Sequence, residues 1–416
     1  MAQSSARELA VVALSEWRKG SQFADSILQR LLVDSQLSAA DRGFATELFY
    51  GVLRNLTLLD FWIGLLRPGS VDAASRDLLR LGLYQLFLLH TPGHAAVFET
   101  VALANSRRRS LVNAVLRTAV RRETELDAAA QAAPLSTRKS HPGFLLERWA
   151  GVFGDSAPEA LCEWNNEAPP LYARINLLKV PVQQFVLDHP SSELLPEIPK
   201  FVRLGQIPMD ALQRGHCYIQ DPSTRIACEL LDPQPGEDVL DACAAPGGKS
   251  GLLAELMENR GRLTACDRDA TRIQQLRENL ERLGVTIACS FQHDWRSGRM
   301  ISGDEPALYD RILLDAPCTN TGVMRRRVDV RWRLTPKDFT RMQSEQLQML
   351  RSIVPLLKTG GALVYSTCSL ESEENEQVVA QALDEFPFLE LTEERVVLPF
   401  REGFDGAFAA KLMRSG

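Results

Sequence analysis

The feature that most constrains this chain is the uninterrupted alternation of strand-like and helix-like segments from about Glu237 to Leu383. Short apolar runs read as strands: Val239-Leu-Asp-Ala242, Arg262-Leu-Thr-Ala-Cys266, Val285 to Phe291, Tyr309-Asp-Arg-Ile-Leu-Leu314 and Gly361-Ala-Leu-Val-Tyr-Ser366. Between and after them lie segments of helical periodicity at 249–259, 269–283, 339–357 and 373–383. Strands that alternate with helices of about ten or more residues bury both faces of the sheet, which predicts a parallel, doubly wound α/β fold. Ligands of such sheets sit beyond the carboxyl ends of the strands, so chemistry is expected at that edge.

The front of the chain obeys a different rule. From Ala6 to about Arg122 apolar residues recur at helical spacing, as in Leu9, Val12, Ala13 and Trp17, then Leu48, Phe49, Val52, Leu53 and Leu56, with hardly any β-branched runs. This predicts an all-α bundle with Leu78 to Leu89, apolar nearly all round, as its central helix. Asp127 to Ser140 loses the periodicity and reads as a linker. Residues 141–215 mix a helix (143–153), Pro169-Pro170 and the strand-like pieces 171–175 and 200–204, which predicts a small α+β subdomain that binds RNA or links its neighbours. A Rossmann-like catalytic domain then occupies 216–416. The total of 416 residues accommodates two to three domains at roughly 150 each.

Charge is distributed unevenly. Residues 1–140 carry 17 Lys+Arg against 13 Asp+Glu, or +4, and residues 141–416 carry 30 against 40, or −10. The richest apolar stretch, Leu81 to Leu89, falls short of the roughly 18 residues of a membrane span. The first residues lack a basic segment followed by an apolar core, so a cytoplasmic protein with no membrane partner is expected. The eight cysteines include no Cys-x-x-Cys pair, which argues against a disulfide framework and against a metal site. Most read as packing residues: 162, 217, 228, 266 and 289.

The strand ends hold the candidate chemistry. Asp241-Ala-Cys-Ala-Ala-Pro-Gly-Gly-Lys-Ser250 joins the first strand to the first helix, and its small residues let backbone N–H groups approach a ligand. It is neither Gly-x-Gly-x-x-Gly nor a phosphate-binding P-loop. Asp267 follows the second strand, 19 residues beyond Gly248, where an acidic side chain accepts from ribose hydroxyls. Asp294 ends the third strand and Asp315 the fourth. Taken singly, each Asp also fits a cap or a turn. Together they suit a nucleoside-containing cofactor without a pyrophosphate. Cys318, in Asp315-Ala-Pro-Cys318, and Cys368, in Ser366-Thr-Cys-Ser369, stand in loops at the same edge, where a helix N-terminus favours a thiolate. Pyrimidine C5 needs such a thiolate: addition to C6 turns C5 into an enamine-like carbon able to attack a methyl sulfonium. Chemistry alone leaves open which cysteine attacks, because DNA cytosine methyltransferases use a Pro-Cys element.

With these pieces in view, the sequence resembles the RNA cytosine-5 methyltransferases, and over its whole length the bacterial 16S rRNA branch with a NusB-like RNA-binding domain in front. The resemblance rests on Asp41-Arg-Gly-Phe-Ala-Thr-Glu-Leu-Phe-Tyr-Gly-Val-Leu-Arg54, Leu81-Gly-Leu-Tyr-Gln-Leu86, Val112-Asn-Ala-Val-Leu-Arg117, the glycine-rich motif 241–250, Asp315-Ala-Pro-Cys318 and Ser366-Thr-Cys-Ser369. It implies S-adenosylmethionine bound by Cys243, Ala244, Ala245, Pro246, Gly247, Gly248, Lys249, Asp267, Asp294 and Asp315. It implies Cys368 as nucleophile and Cys318 as the group that assists release. Asp315 is expected to be catalytic as well, hydrogen-bonding the cytosine. The partner implied is RNA, 16S rRNA free or within a small-subunit assembly intermediate, with no obligate protein partner.

Two departures stand out. Relatives have Pro-Cys-Ser and a small residue where this chain has Pro317-Cys-Thr-Asn320, and their Pro-Asp after the arginines is Val328-Asp329 here. Both fall in the target-base loop rather than at the cofactor. Arg325, Arg326, Arg327, Arg331 and Arg333, with Trp332 among them, directly follow and suggest phosphate contacts with a stacking indole; a solvated surface loop is the alternative. A second basic face is expected from Arg107, Arg108, Arg109, Arg117, Arg121 and Arg122. Two rival functions remain. A methyltransferase acting on another RNA position, such as an exocyclic amine, wants Asn/Asp-Pro-Pro-aromatic where Asp-Ala-Pro-Cys stands. A non-catalytic RNA-binding assembly factor has no need to keep both cysteines.

Overall fold

The computed structural model describes residues 5–298 and 308–415. It forms two compact units, Met1–Ala168 with Met324–Arg333, and Pro169–Val323 with Leu334–Gly416.

The first unit is helical. Ala6–Trp17, Ala39–Arg54 and Leu56–Leu66 pack on Ala73–Phe87, in which every residue from Asp77 to Phe87 is buried, and Ala24–Val33 packs on Ala6–Trp17. Local chemistry sets the helix starts: Ser5 and Glu8 form a capping box, and the side chains of Ser38, Asp72 and Asn105 each accept from a backbone N–H three residues on. Gly51 is required by packing, since a Cβ there would lie 1.9 Å from Cζ of Tyr84. Residues 127–140, expected to be a linker, continue the bundle as the helices Glu123–Ala132 and Leu135–Arg138. Leu126 and Ala130 are buried, and the Leu126 carbonyl accepts from Trp62 Nε1 at 3.1 Å. Alanine is the best helix former but a weak mark of periodicity, so the segment folds as helix without displaying an apolar stripe. The helices Gly143–Phe153 and Ala157–Asn166 also belong to this unit, whose first stretch runs to Ala168.

The arginine-rich segment Met324–Arg333 is part of this unit and corrects the expectation of phosphate contacts for Arg325 and Arg331, which are buried, while Arg327 is exposed. Val328 joins the helical core. Arg331 is fully buried and donates to Asn166 Oδ1 at 2.7 Å and to the Asn165 carbonyl at 3.0 Å, satisfying the end of the helix Ala157–Asn166. Burial pushes its pKa down to about 9. Arg325 lies 4.1 Å from the centroid of the Trp164 ring and pairs with Glu167 at 3.0 Å, while Trp332 Nε1 donates to the Leu53 carbonyl at 2.8 Å. Asp329, also buried, accepts from the Ala24 N–H at 3.0 Å and from Arg333 at 2.9 Å. A run of like charges in sequence resembles a solvated or RNA-facing strip, but here carbonyls and a tryptophan face absorb two of the guanidinium groups. Arg331→Ala is therefore expected to lower the stability of the helical unit by about 3 kcal/mol, because it strands buried acceptors, as read by thermal melting. The salt dependence of RNA binding stays the same for this variant; a phosphate contact would reduce it by about one ion.

The second unit has two sheets. In the smaller, β1 (Leu171–Ile175), β2 (Glu193–Leu194), β3 (Phe201–Leu204) and β4 (Cys217–Ile219) pair antiparallel in the order β2-β3-β1-β4. In the larger, β5 (Asp238–Asp241), β6 (Arg262–Asp267), β7 (Ala288–Gln292), β8 (Tyr309–Asp315), β9 (Leu357–Thr367), β10 (Leu389–Val397) and β11 (Ala407–Arg414) run in the order β10-β11-β9-β8-β5-β6-β7. Strands β5 to β9 are parallel, as expected. The last two are antiparallel and were not foreseen, so the sheet is mixed. Leu240, Ile312, Leu314, Leu363 and Tyr365 are buried with Leu347, Leu350 and Val378 of the helices Pro336–Ile353 and Glu376–Glu385; Val239, Leu313 and Val364 are buried with Leu252 and Leu253 of Gly248–Leu256. Arg174, fully buried on β1, reaches Glu255 at 2.8 Å and links the small sheet to the helix Gly248–Leu256. Among the described residues no single helix is long and apolar enough to cross a membrane.

Candidate active site

Every strand-end residue singled out above lies at the carboxyl edge of β5, β6, β7, β8 or β9. Between β5 and the helix Gly248–Leu256, the loop is strapped in place by its backbone: the Ala244 N–H donates to the Cys266 carbonyl at 2.7 Å, and the Pro246 carbonyl accepts from Asn279 at 2.8 Å. The Ala245–Pro246 peptide is cis, and Gly247 follows at φ +109°, a conformation glycine adopts freely. Gly248 then starts the helix, and a Cβ there would lie 2.8 Å from Tyr218 Cε1.

One cleft of about 450 Å³ is bounded by Cys243, Asp267, Asp294, Trp295, Pro317 and Met349, among others. Asp267 is buried and held by Arg272 at 3.0 Å and by the Asp269 N–H at 3.1 Å. Asp294 is more open. Hydrogen bonds from Arg296 hold its carboxyl down at about 2, so it is ionised at any ordinary pH. Burial first, then the carboxylates of Asp315, Asp241 and Asp267, keep the Cys243 thiol well above its usual pKa, which makes it a poor nucleophile.

Asp241 closes β5 at the start of the glycine-rich motif. It is fully buried, accepts from Ser250 Oγ at 2.7 Å through one oxygen, and its other oxygen has no hydrogen-bond partner. Burial raises its pKa to about 7. An orphaned buried carboxylate oxygen beside a glycine-rich helix start fits a ligand that brings a donor or a positive charge.

A second cleft, of about 390 Å³, is lined by Ser223, Lys249, Asp315, Ser366, Cys368 and Gly406, among others. Lys249 Nζ sits 2.8 Å from Asp315 Oδ2, and Ser366 Oγ donates to Asp315 Oδ1 at 3.0 Å. Burial works against the lysine charge, but Asp315 outweighs it and the lysine pKa is raised. The sulfurs of Cys318 and Cys368 are 3.1 Å apart. Cys368 Sγ also lies 3.3 Å from Asn320 Oδ1, and the Asn320 amide donates to the Cys318 carbonyl at 2.8 Å. Asn320 adopts φ +60°, which asparagine tolerates better than most residues. Its contact with the thiol was not foreseen, although it stands at a noted departure. The hydrogen bond to Cys368, with burial, holds the Cys318 thiol far above its usual pKa. Cys289 corrects the packing reading given to five cysteines: on the edge strand β7 it is exposed, whereas 162, 217, 228 and 266 are buried.

A mixed sheet with five parallel strands, a glycine-rich turn after the first of them and acidic strand ends defines a Rossmann-like methyltransferase. Residues 228–413 match the family described as 16S rRNA methyltransferase RsmB/F, 4–121 match the NusB family, and 141–188 match the ferredoxin-like domain of RsmF/B-like methyltransferases. The chain is 34% identical, over all of both chains, to the probable ribosomal RNA small subunit methyltransferase B of Bacillus subtilis. It is 35% identical to ribosomal RNA small subunit methyltransferase B of Escherichia coli K12, covering 99% of each chain. The crystal structure of PH0851 is similar at 28% identity with a TM-score of 0.77, covering 98% of this chain and 97% of that one. The chain belongs to the RsmB/F family of 16S rRNA methyltransferases. It is an rRNA methyltransferase whose cofactor is S-adenosylmethionine.

The buried Asp241 sets a measurable pH dependence. A carboxyl whose folded pKa is raised binds a proton more tightly folded than unfolded, so its contribution to stability falls as pH rises from about 4 to about 7. Asp241→Asn removes that slope, at most about 1.4 kcal/mol per pH unit. Urea unfolding at several pH values is expected to show the variant gaining on the wild type through this window.

Proposed function

We propose that the chain methylates C5 of a cytosine in 16S rRNA through a covalent adduct between Cys368 and C6 of the base. The observation that carries this reading is the meeting of two thiols, 3.1 Å apart, beside an Asp315 carboxylate that Lys249 and Ser366 hold in place. The C5 carbon of a pyrimidine is not acidic enough to react directly. Addition of the Cys368 thiolate to C6 makes C5 nucleophilic; after transfer a base removes the C5 proton and the C6–sulfur bond breaks. Cys318, kept in its protonated form, is suited to donate to Cys368 at rest and to serve the release step after attack. Asp315 faces the same cleft as Cys368 and is assigned the hydrogen bond to the base.

S-adenosylmethionine supplies an electrophilic methyl group. Cys243 to Lys249, Asp267, Asp294 and Asp315 are the residues assigned to hold it, with Asp267 accepting from the ribose. Asp315 belongs to both assignments, and Lys249, of the glycine-rich motif, pairs with it at 2.8 Å. We assign RNA binding beyond the active site to the helical part of residues 1–140, where Arg107, Arg109, Arg117 and Arg121 are exposed on or beside one helix, Ser106–Arg121.

Incubation with 16S rRNA and cofactor, followed by a denaturing gel, separates the two cysteines. Cys368→Ala is expected to be inactive and to form no slow band, whereas Cys318→Ala stalls with RNA attached. The opposite pattern would exchange the roles. Asp267→Ala is expected to weaken cofactor binding roughly tenfold to a hundredfold by calorimetry, the equivalent of losing about 1.5–3 kcal/mol of hydrogen bonding.

A further inference from the structure

Beneath the two cysteine loops lies a buried carboxylate that the chemistry above does not use. Glu374 is fully buried, in the short turn Ser372–Glu374 that precedes the helix Glu376–Glu385. Its Oε2 accepts from the Thr319 N–H at 2.9 Å and from Gln346 Nε2 at 3.1 Å. Its Oε1 accepts from Ser369 Oγ at 2.6 Å and from the hydroxyl of Thr319. Thr319 directly follows Cys318, and Ser369 directly follows Cys368. One side chain therefore ties both cysteine-bearing loops together. A buried carboxylate is costly unless its lone pairs are filled, and all four partners found here belong to these loops or to the helix beneath them. Gln346 reinforces the arrangement, since the same amide also donates to the Pro317 carbonyl at 2.9 Å.

We propose that Glu374 is a positioning residue for methyl transfer, a clamp that holds the Cys318 and Cys368 loops in register so that their sulfurs meet. It touches neither sulfur and acts through Thr319 and Ser369. The proposal rests on the reading of the two cysteines as the reacting pair. Its distinguishing consequence concerns their distance, which is measurable without turnover. Loss of the clamp leaves the two loops joined by the contact of the sulfurs, the contact of the Cys368 thiol with Asn320 Oδ1, the bonds from the Gly322 N–H to the Cys368 carbonyl and from the Leu370 N–H to the Thr321 hydroxyl, and the hydroxyl contacts of Thr319 and Thr321 with Ser369. Glutamine keeps the shape. Its carbonyl serves the Thr319 N–H and Gln346, and its amide donates to the two hydroxyls, which are able to accept.

The test oxidises the full-length protein with diamide. The two thiols give up two protons and two electrons to the diazene, which becomes a hydrazine, and peptide mapping quantifies the disulfide between Cys318 and Cys368. Glu374→Ala is expected to slow formation of that disulfide by about tenfold or more. With 16S rRNA as substrate, kcat is expected to fall by about tenfold to a hundredfold while KM for the cofactor stays within about twofold. Glu374→Gln is expected to bring the disulfide rate back to within about threefold of wild type. Wild-type cross-linking in Glu374→Ala, or equal slowing in both variants, overturns the clamp. Should Glu374→Ala fail to fold, Thr319→Val removes only the hydroxyl link and is expected to slow the disulfide about threefold or more; no change overturns the proposal. A methyl group mapped away from cytosine C5 would sink the proposed reaction while leaving this cross-linking contrast to stand or fall separately.

Discussion

Two cysteines 50 residues apart meet because β8 and β9 keep one register from Arg311 to Asp315, with Asp315 opposite Ser366 and Leu314 opposite Tyr365. Three residues past Asp315 and two past Ser366, the loops deliver Cys318 and Cys368 to the same point. A slip of one residue would turn every side chain of a strand to the other face and part the sulfurs. The register is protected by burial: Ile312, Leu313, Leu314, Leu363, Val364 and Tyr365 are all inaccessible, alternate between the two faces, and leave no alternative pairing with the same core.

The parallel arrangement of β5 to β9 then does the rest. Because these strands point the same way, their ends share one edge, and residues far apart in sequence converge without any long-range design of their own. The two clefts differ in chemistry. On one side, Asp267 and Asp294 are fixed by Arg272 and Arg296, a polar setting suited to a ribose and its base. On the other, Lys249, Asp315 and Ser366 form a charged and hydroxyl-lined approach to the thiol of Cys368. The turn from β5 into the helix Gly248–Leu256 contributes to both, Cys243 to the first and Lys249 to the second.

Much of this was legible in residues alone. Strand-to-helix alternation located β5 through β9, and the candidate residues read from the sequence lie at their ends. What escaped has physical reasons. The helix Glu123–Ala132 is built on alanines, whose helical preference is strong but whose apolar stripe is faint. Strands β10 and β11 run antiparallel after the last crossover, and seven of the nine residues of β10 are exposed, so it lacks the apolar run that marks a buried strand. The arginines of 325–333 had the composition of an RNA-facing strip, yet Arg331 and Arg325 are spent on a helix end and a tryptophan face inside the helical unit. Glu374 was invisible because a single Glu in Glu371-Ser-Glu-Glu374 looks like a solvated charge; only tertiary structure shows that it closes over Thr319 and Ser369. Asn320, noted as a departure in the loop, has a defined neighbour in the thiol of Cys368.

The central claim, that Cys368 forms the bond to the base, is tested most directly by trapping. In 16S rRNA carrying 5-fluorocytidine, fluorine replaces the C5 proton whose removal releases the adduct, so the enzyme and RNA stay joined after methyl transfer. Nuclease and protease digestion followed by tandem mass spectrometry locates the modified residue. The account predicts a methylated fluoropyrimidine attached to the sulfur of Cys368. Attachment to Cys318, or an active wild-type enzyme that yields no attached nucleotide, would contradict it.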